Sequence, residues 1–373
     1  MAGIYIHIPF CRQACHYCDF HFSTNLKTQN EMVEAIAQEI IDRKEYLGES
    51  IQTIYFGGGT PSILSSAQLM LLLDAVRENH TIDSDAEITL EANPEDLIHS
   101  KTVELFELGI NRLSIGIQTF NESKLMWMNR VHNSNESINA FENARTAGFQ
   151  NISLDLIYAI PDHSNERWEA DLKAITDLDP EHISLYGLTI EDKTVFHKWE
   201  QQKKLVQVPE DEAAGQYLFA IDFLKSRGYV QYEVSNFGKE GFHSRHNNAY
   251  WSGVPYLGVG PGAHSFDGQS RRFNVRNNSK YLKAIHDSNS YHKTELLSRI
   301  QRINEQILTQ LRTAKGLNLS VPQNAMGVNL EELHADFILE ISERQLAEIK
   351  NGFLSLKPKG FLVADEIALR LFF

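Results

Sequence analysis

Cysteine is nearly absent from this sequence. There are three in 373 residues, and all fall within eight positions, at Cys11, Cys15 and Cys18. An odd count grouped on one short stretch excludes a disulfide framework. Positive charge is also scarce. Lys and Arg total 35 against 49 Asp and Glu, a net of −14, which argues against a broad basic surface for nucleic acid. No apolar run approaches the roughly 20 residues of a membrane-spanning helix. The opening stretch MAGIYIHIPFCRQACHYCDF has no charged segment followed by a long apolar one, so no secretory leader is expected. The expected location is the cytoplasm, with at most a peripheral contact to a membrane. Repeats and low-complexity segments are lacking too. The rest, 42% hydrophobic and 23% charged, is an ordinary globular composition. The length suits one large domain followed by a smaller one.

Short runs rich in Ile, Val, Tyr and Leu alternate with helical periodicity. Strands are expected at 3–10, 52–58, 87–93, 112–119, 151–160 and 182–190. Most read as near-continuously apolar, the pattern of parallel strands covered on both faces. Between them, residues 31–47 place Met32, Ile36, Ile40 and Ile41 close to a 3.6 period. Stretches 67–77, 95–108, 136–147 and 166–178 are similar, and Ser65, Asn93 and Asn135 stand near helix starts. Six β–α units predict an α/β fold, a partial (β/α)6 barrel short of the eight units of a closed one. A helix at 211–226 leads to one more strand at 228–236, and the barrel domain is expected to span 1–236. Residues 237–293 read as a connector, irregular and rich in Gly, His, Asn and Arg through 278. A small C-terminal helical domain with a β-wing is expected over 294–373.

The spacing Cys11-x3-Cys15-x2-Cys18 is the strongest chemical signal. Three thiolates on one loop suit a metal or cluster. A zinc site would need a fourth ligand from elsewhere, and His16 is too close to its neighbours to supply it easily. A 4Fe–4S cluster on three thiolates keeps one iron open to an outside ligand. The cluster is the preferred reading, with zinc plus a remote histidine as the alternative. Further polar residues fall at or just past the ends of expected strands, where barrel enzymes place their sites. Gly58, Gly59 and Thr60 follow strand two, where glycines let backbone approach a ligand. Glu91 on strand three can accept from an ammonium. Gln118 ends strand four, and Arg130 on the next loop can clamp a carboxylate. Asp155 sits on strand five.

The CxxxCxxC motif after a first strand resembles the radical S-adenosylmethionine superfamily. The stretch IYIHIPFCRQACHYCDF is similar to one branch of it. That branch holds the oxygen-independent coproporphyrinogen III oxidases and their heme-chaperone (HemW) relatives. The likeness extends to the terminal GFLVADEIALRLFF. The resemblance implies a 4Fe–4S cluster on Cys11, Cys15 and Cys18, with S-adenosylmethionine chelated at the open iron. It implies that Gly58, Gly59 and Thr60 serve the methionine end of that cofactor. Glu91, Gln118, Arg130 and Asp155 would complete the cofactor site, Asp155 at the ribose. Tyr5 and Tyr17 match aromatic contacts near the cluster.

Two departures matter. The family often has a glycine after the strand-five tyrosine and then Pro-Gly-Gln, whereas this chain reads Ala159-Ile160-Pro161-Asp162-His163. The oxidases resemble CxxxCxxCxC, and Phe20 stands here in place of the fourth cysteine. Phe20 points to the heme-chaperone side, as does the segment His246-Asn247-Asn248-Ala249-Tyr250-Trp251, which matches HNxxYW. Imidazole is a common axial ligand of heme iron, and aromatic rings offer flat surfaces to a porphyrin. His246, Tyr250 and Trp251 are therefore heme candidates, with His243 and His264 behind them. The expected function is to bind heme and pass it to heme-requiring proteins such as respiratory enzymes, with association as a homodimer. The alternative is oxidative decarboxylation of coproporphyrinogen III to protoporphyrinogen IX in porphyrin biosynthesis, and a zinc-stabilised module is the third reading. Gly258–Ala263 formally matches GxGxxA. It opens no helix and Pro261 interrupts it, so a dinucleotide site is rejected.

Overall fold

The structure is a computed structural model and describes residues 2–373. Six strands form its centre: β1 (Ala2–Ile8), β2 (Ile51–Gly58), β3 (Ile82–Ala92), β4 (Arg112–Gln118), β5 (Ile152–Tyr158) and β6 (His182–Gly187). Each pairs parallel with the next. The returns between them carry α1 (Gln29–Asp42), α2 (Ser66–Asn79), α3 (His99–Glu107), α4 (Glu122–Trp127), α5 (Ser134–Ala147) and α6 (Asn165–Asp177). Two helix starts are fixed by reciprocal capping boxes, Ser65 with Gln68 and Asn133 with Glu136. Asn133, two residues before the expected Asn135, is the cap of α5.

The strands correct one expectation. They are not continuously apolar but alternate with period two. Ile4, Ile6, Ile8, Ile54, Phe56, Leu90, Leu113, Ile115, Leu154 and Leu156 are at most 1% exposed and form the core with the helices. Burying each such side chain is worth about 1.5–3 kcal/mol. The other face carries Tyr5 and His7, Tyr55, Glu87 and Glu91, Arg112 and Ser114, Ser153 and Asp155, His182 and Tyr186. The register sets Tyr5 beside Tyr55, and Glu91 beside Ser114. A closed barrel fills its interior with branched apolar side chains. This interior is polar and aromatic, so it is built to hold something other than itself. Tyr and Thr are themselves strand formers, which is why the alternation was blurred in the sequence.

The sheet does not close. Helices α7 (Val195–Gln201) and α8 (Glu210–Ser226) follow β6. The expected strand at 228–236 is instead two short ones, β7 (Val230–Gln231) and β8 (Asn236–Gly238), with β8 antiparallel to β6. The stretch 237–278 is not irregular either. It holds helix α9 (Arg245–Trp251) and strands β9 (Tyr256–Val259), β10 (His264–Phe266) and β11 (Ser270–Asn274). Strand β9 runs parallel to β1, and β12 (His292–Leu296) ends that flank. Segments of three to five residues are set by their partners, and periodicity cannot reveal them.

Helix α9 lies across the floor of the interior. Ser244 caps it, and the N–H groups of Arg245 and His246 each donate to the Glu87 carboxylate on β3 at 3.0 Å. The C-terminal part is helical, with Arg299–Leu311, Ala335–Glu343 and Ala364–Arg370 beside a three-stranded antiparallel wing. It is zipped to the β7–β8 turn: Val234 N donates to Arg312 O at 2.8 Å, and Ala314 N to Tyr232 O at 2.9 Å.

Candidate functional site

The cysteine loop leaves the end of β1 and is tied down on two sides. Towards β2, Gly59 N donates to Ile8 O at 2.8 Å and Thr60 N to Phe10 O at 2.7 Å. A Cβ on Gly59 would stand 2.5 Å from Phe10 O, so this close approach requires glycine. Towards α4, His16 N donates to Met128 O at 3.0 Å, and Asn129 Nδ2 to Ala14 O at 2.7 Å. The His16 ring bonds Trp127 O through Nδ1 at 2.8 Å and packs edge-on against Trp199. It is thus occupied elsewhere, as its crowding in the sequence suggested.

All three cysteines line one cavity of about 420 Å³. Two sulfurs already receive donors, Cys11 from Thr60 Oγ1 at 3.2 Å and Cys15 from Arg130 at 3.5 Å. Such bonds tune a bound cluster. Burial pushes the Cys11 thiol up to about 11 and the Cys18 thiol to about 12. Holding them as thiolates therefore takes the positive charge of a metal group. Three soft thiolates with no fourth cysteine in the chain are the donor set of a cluster that keeps one iron open, whereas zinc would need a fourth ligand from elsewhere.

The same cavity gathers Gly58, Gly59, Thr60, Glu91, Gln118, Arg130, Asp155 and Tyr17. Glu91 accepts from Tyr55 Oη at 2.8 Å and from Gly58 N at 3.1 Å. Burial pushes its carboxyl up to about 7, and nearby Asp155 adds to the rise. Burial also raises Asp155, while serine hydroxyls, including Ser114 and Ser153 at 3.3 Å, oppose the rise. Arg130 is aimed by Asn93 Oδ1 and Gly116 O, both at 2.8 Å. Gln118 has φ +72, a conformation that costs a non-glycine residue about 1–3 kcal/mol and clusters at functional sites. The departure at 159–163 keeps a turn suited to glycine, with φ +56 at Ala159 and +54 at Asp162. Gln216 holds it by accepting from Ala159 N at 2.8 Å.

A second cavity, about 690 Å³, opens where the sheet fails to close. Tyr5, His7, Tyr256 and His264 come from the β1–β10 flank, Tyr186 and Asn236 from β6 and β8, and His246, Tyr250 and Trp251 from α9. Tyr5 lines this cavity beside Glu91, which borders the cysteine cavity as well. The His246 ring stacks on Tyr55 with centroids 4.8 Å apart, and its Nδ1 is hydrogen-bonded to Thr53 Oγ1 at 2.8 Å. Its Nε2 makes no hydrogen bond among the described residues. Burial, with Arg112 adding, lowers His246 to about 4, so the ring is neutral, the form that ligates metals. His264 shares the cavity, but His243 does not and instead stacks on Tyr232 at 4.3 Å. Asp19, Phe20, Glu91 and Tyr186 border both cavities, and Phe20 is 67% exposed there. Sequence reasoning missed His7, Tyr55 and Tyr186. They stand at the inward-facing alternate positions of β1, β2 and β6, and reading those strands with period two would have found them.

Comparison with known proteins bears on this geometry. The Radical SAM superfamily domain matches residues 5–175, and the HemN C-terminal domain matches residues 297–363. Heme chaperone HemW of Bacillus subtilis is 36% identical over 371 residues, covering 98% of each chain. This chain belongs to the HemW family. The HemW of Lactococcus lactis is 35% identical over 365 residues, covering 97% of this chain and 95% of that one. The solved structure of coproporphyrinogen III oxidase (HemN) from Escherichia coli superposes with a TM-score of 0.85. It covers 99% of this chain and 89% of its own at 22% identity, so it shares the fold. Near-complete coverage by HemW relatives means that their likeness includes the β9–β12 flank and the wing, not the cysteine loop alone.

Proposed function

We propose that this protein binds heme in the lateral cavity and passes it to heme-requiring proteins. A 4Fe–4S cluster on Cys11, Cys15 and Cys18 and S-adenosylmethionine occupy the upper cavity. His246 carries this reading: a neutral imidazole braced by Thr53 and Tyr55, with Nε2 uncommitted, in an aromatic-walled space beside the cysteine loop. Membership of the HemW family supports it. Held by the three cysteines, the cluster would offer an open iron to the amino and carboxylate groups of S-adenosylmethionine and an electron able to split its sulfonium. The chain's own part is to orient that cofactor. Glu91 would accept from an N–H of the amino group, Arg130 would clamp the carboxylate, and Asp155 would take the ribose hydroxyls. No helix among the described residues is long and apolar enough to cross a membrane.

Two expected outcomes follow from named groups. Glu91 is raised to about 7, so its carboxyl is neutral below that pH and is then the weaker acceptor for the cofactor's amino N–H. Affinity for S-adenosylmethionine should rise up to about tenfold from pH 6 to pH 8, and Glu91→Gln should flatten the profile. Anaerobic equilibrium dialysis measures this, and a flat profile in the unaltered protein counts against Glu91 as the acceptor for the amino group. His246→Ala should shift the Soret band of bound heme and weaken binding by about tenfold or more. An unaltered spectrum moves the ligand elsewhere.

The experiment that decides the whole reading is anaerobic reconstitution followed by parallel assays for heme binding and 5′-deoxyadenosine formation. Conversion of coproporphyrinogen III to protoporphyrinogen IX by that material would favour the oxidase instead. Phe20, standing where the oxidases resemble a fourth cysteine, argues against that result.

A further inference from the structure

The lateral cavity is electrically lopsided. On its β9–β11 side stand Arg276, His264, His21 and His7. On the far side, at the β7–β8 turn, stands the buried carboxyl of Glu233. Asp19 and Glu91 lie on the border with the upper cavity, and Glu91 is already engaged by Tyr55 and Gly58. The cavity has two arginines. Arg312 is committed to Asp365 through a bidentate pair, with contacts at 2.6 and 2.8 Å. Arg276 has no carboxylate partner among the described residues, and its guanidinium donates only to the backbone carbonyl of Asp19.

Arg276 and His21 flank Gly262, whose Cβ position would lie 3.5 Å from Arg276 Cγ and 3.6 Å from His21 Cβ. The His264 ring makes no hydrogen bond among the described residues and packs edge-on against Phe273. His7, His21 and His264 are all lowered from their ordinary range, with burial the first cause in each and the positive charge of Arg276 adding to all three. A chain of net charge −14 has thus gathered cationic and potentially cationic groups on one wall without a counter-ion. Such a wall attracts an anion, and arginine's planar fork suits a carboxylate.

We propose that Arg276 and His264, with His21 beside them, bind the propionate carboxylates of the tetrapyrrole held in the lateral cavity. This rests on the heme reading above and deepens it. Among the described residues the far side offers those carboxylates no free cation, since Arg312 is paired with Asp365 and Glu233 is itself a carboxyl, so the polarity of the cavity sets which edge of the macrocycle enters which way round.

The test uses the full chain, zinc protoporphyrin IX and its dimethyl ester, whose rings match and whose carboxylates differ. Fluorescence titration should show the diacid binding about 10- to 100-fold tighter than the diester, the range for loss of charge-assisted hydrogen bonds. Arg276→Gln should remove most of that preference while leaving affinity for the diester unchanged, and His264→Gln should remove a smaller part. Arg276→Lys keeps charge without the fork and should fall between. Arg276 is exposed, so these variants should melt with the unaltered protein. Equal binding of diacid and diester by the unaltered protein, or a preference that survives Arg276→Gln, overturns the proposal and leaves the heme reading standing. If neither macrocycle binds, the heme reading falls with it.

Discussion

Cys15→Ser should leave anaerobically reconstituted protein colourless. The substitution changes one atom of the side chain, so shape and hydrogen-bonding capacity are nearly kept. What is lost is a soft, ionisable ligand at the middle of a three-sulfur set. Cys15 sits on the loop stapled to β2 and α4, and its sulfur faces the Arg130 guanidinium at 3.5 Å. With that loop held by Gly59, Thr60 and Asn129, no neighbouring thiol can move in to replace it. Iron and labile sulfide should fall to background, and S-adenosylmethionine affinity with them. The metal-free protein should unfold within about 0.5 kcal/mol of its parent, as expected of a part-exposed substitution. Retention of the broad brown absorption would remove the basis of the cluster reading.

Glu39→Ala should be the most damaging single change outside the two cavities. Glu39 sits on α1 with no exposed surface. Its carboxylate accepts from Arg43 at 3.1 Å, Gly260 N at 2.8 Å, Asn274 Nδ2 at 2.8 Å and Tyr281 Oη at 2.6 Å. These partners come from the residue that ends α1, from the turn after β9, from β11 and from the following helix, Asn278–His286. One side chain therefore ties three parts of the flank to α1, beside the pairing of β9 with β1. Its removal leaves Arg43 buried without its anion and several donors unmet, at a cost of about 3–5 kcal/mol. Urea denaturation measures this directly. Heme binding should suffer with it, because that flank walls the lateral cavity, while the cysteine loop stays anchored to β2 and α4 and should still take up its cluster. A variant that unfolds with its parent would show that the flank is held by something else.

The parts of the molecule that could be read from the sequence are those whose signals are local. The six parallel strands and their helices announce themselves through runs and periods of adequate length. The cysteine loop does so through spacing, and Glu91 and Gln118 through their places near strand ends. The β9–β11 flank could not be read, because strands of three to five residues gain their conformation from partners far away in sequence, as Tyr256 to Val259 do from β1. Tyr5 stands beside Tyr55 on the inner face, a depth that only the register reveals. His246 was named from its motif, yet its bracing by Thr53 and Tyr55 joins residues almost two hundred positions apart.

Because the sheet does not close, the molecule has two doorways, one above the strand ends and one through its side. Under the proposed function a nucleoside would be exchanged overhead while a macrocycle stayed berthed below, with Phe20 and Tyr186 as the party wall between tenants.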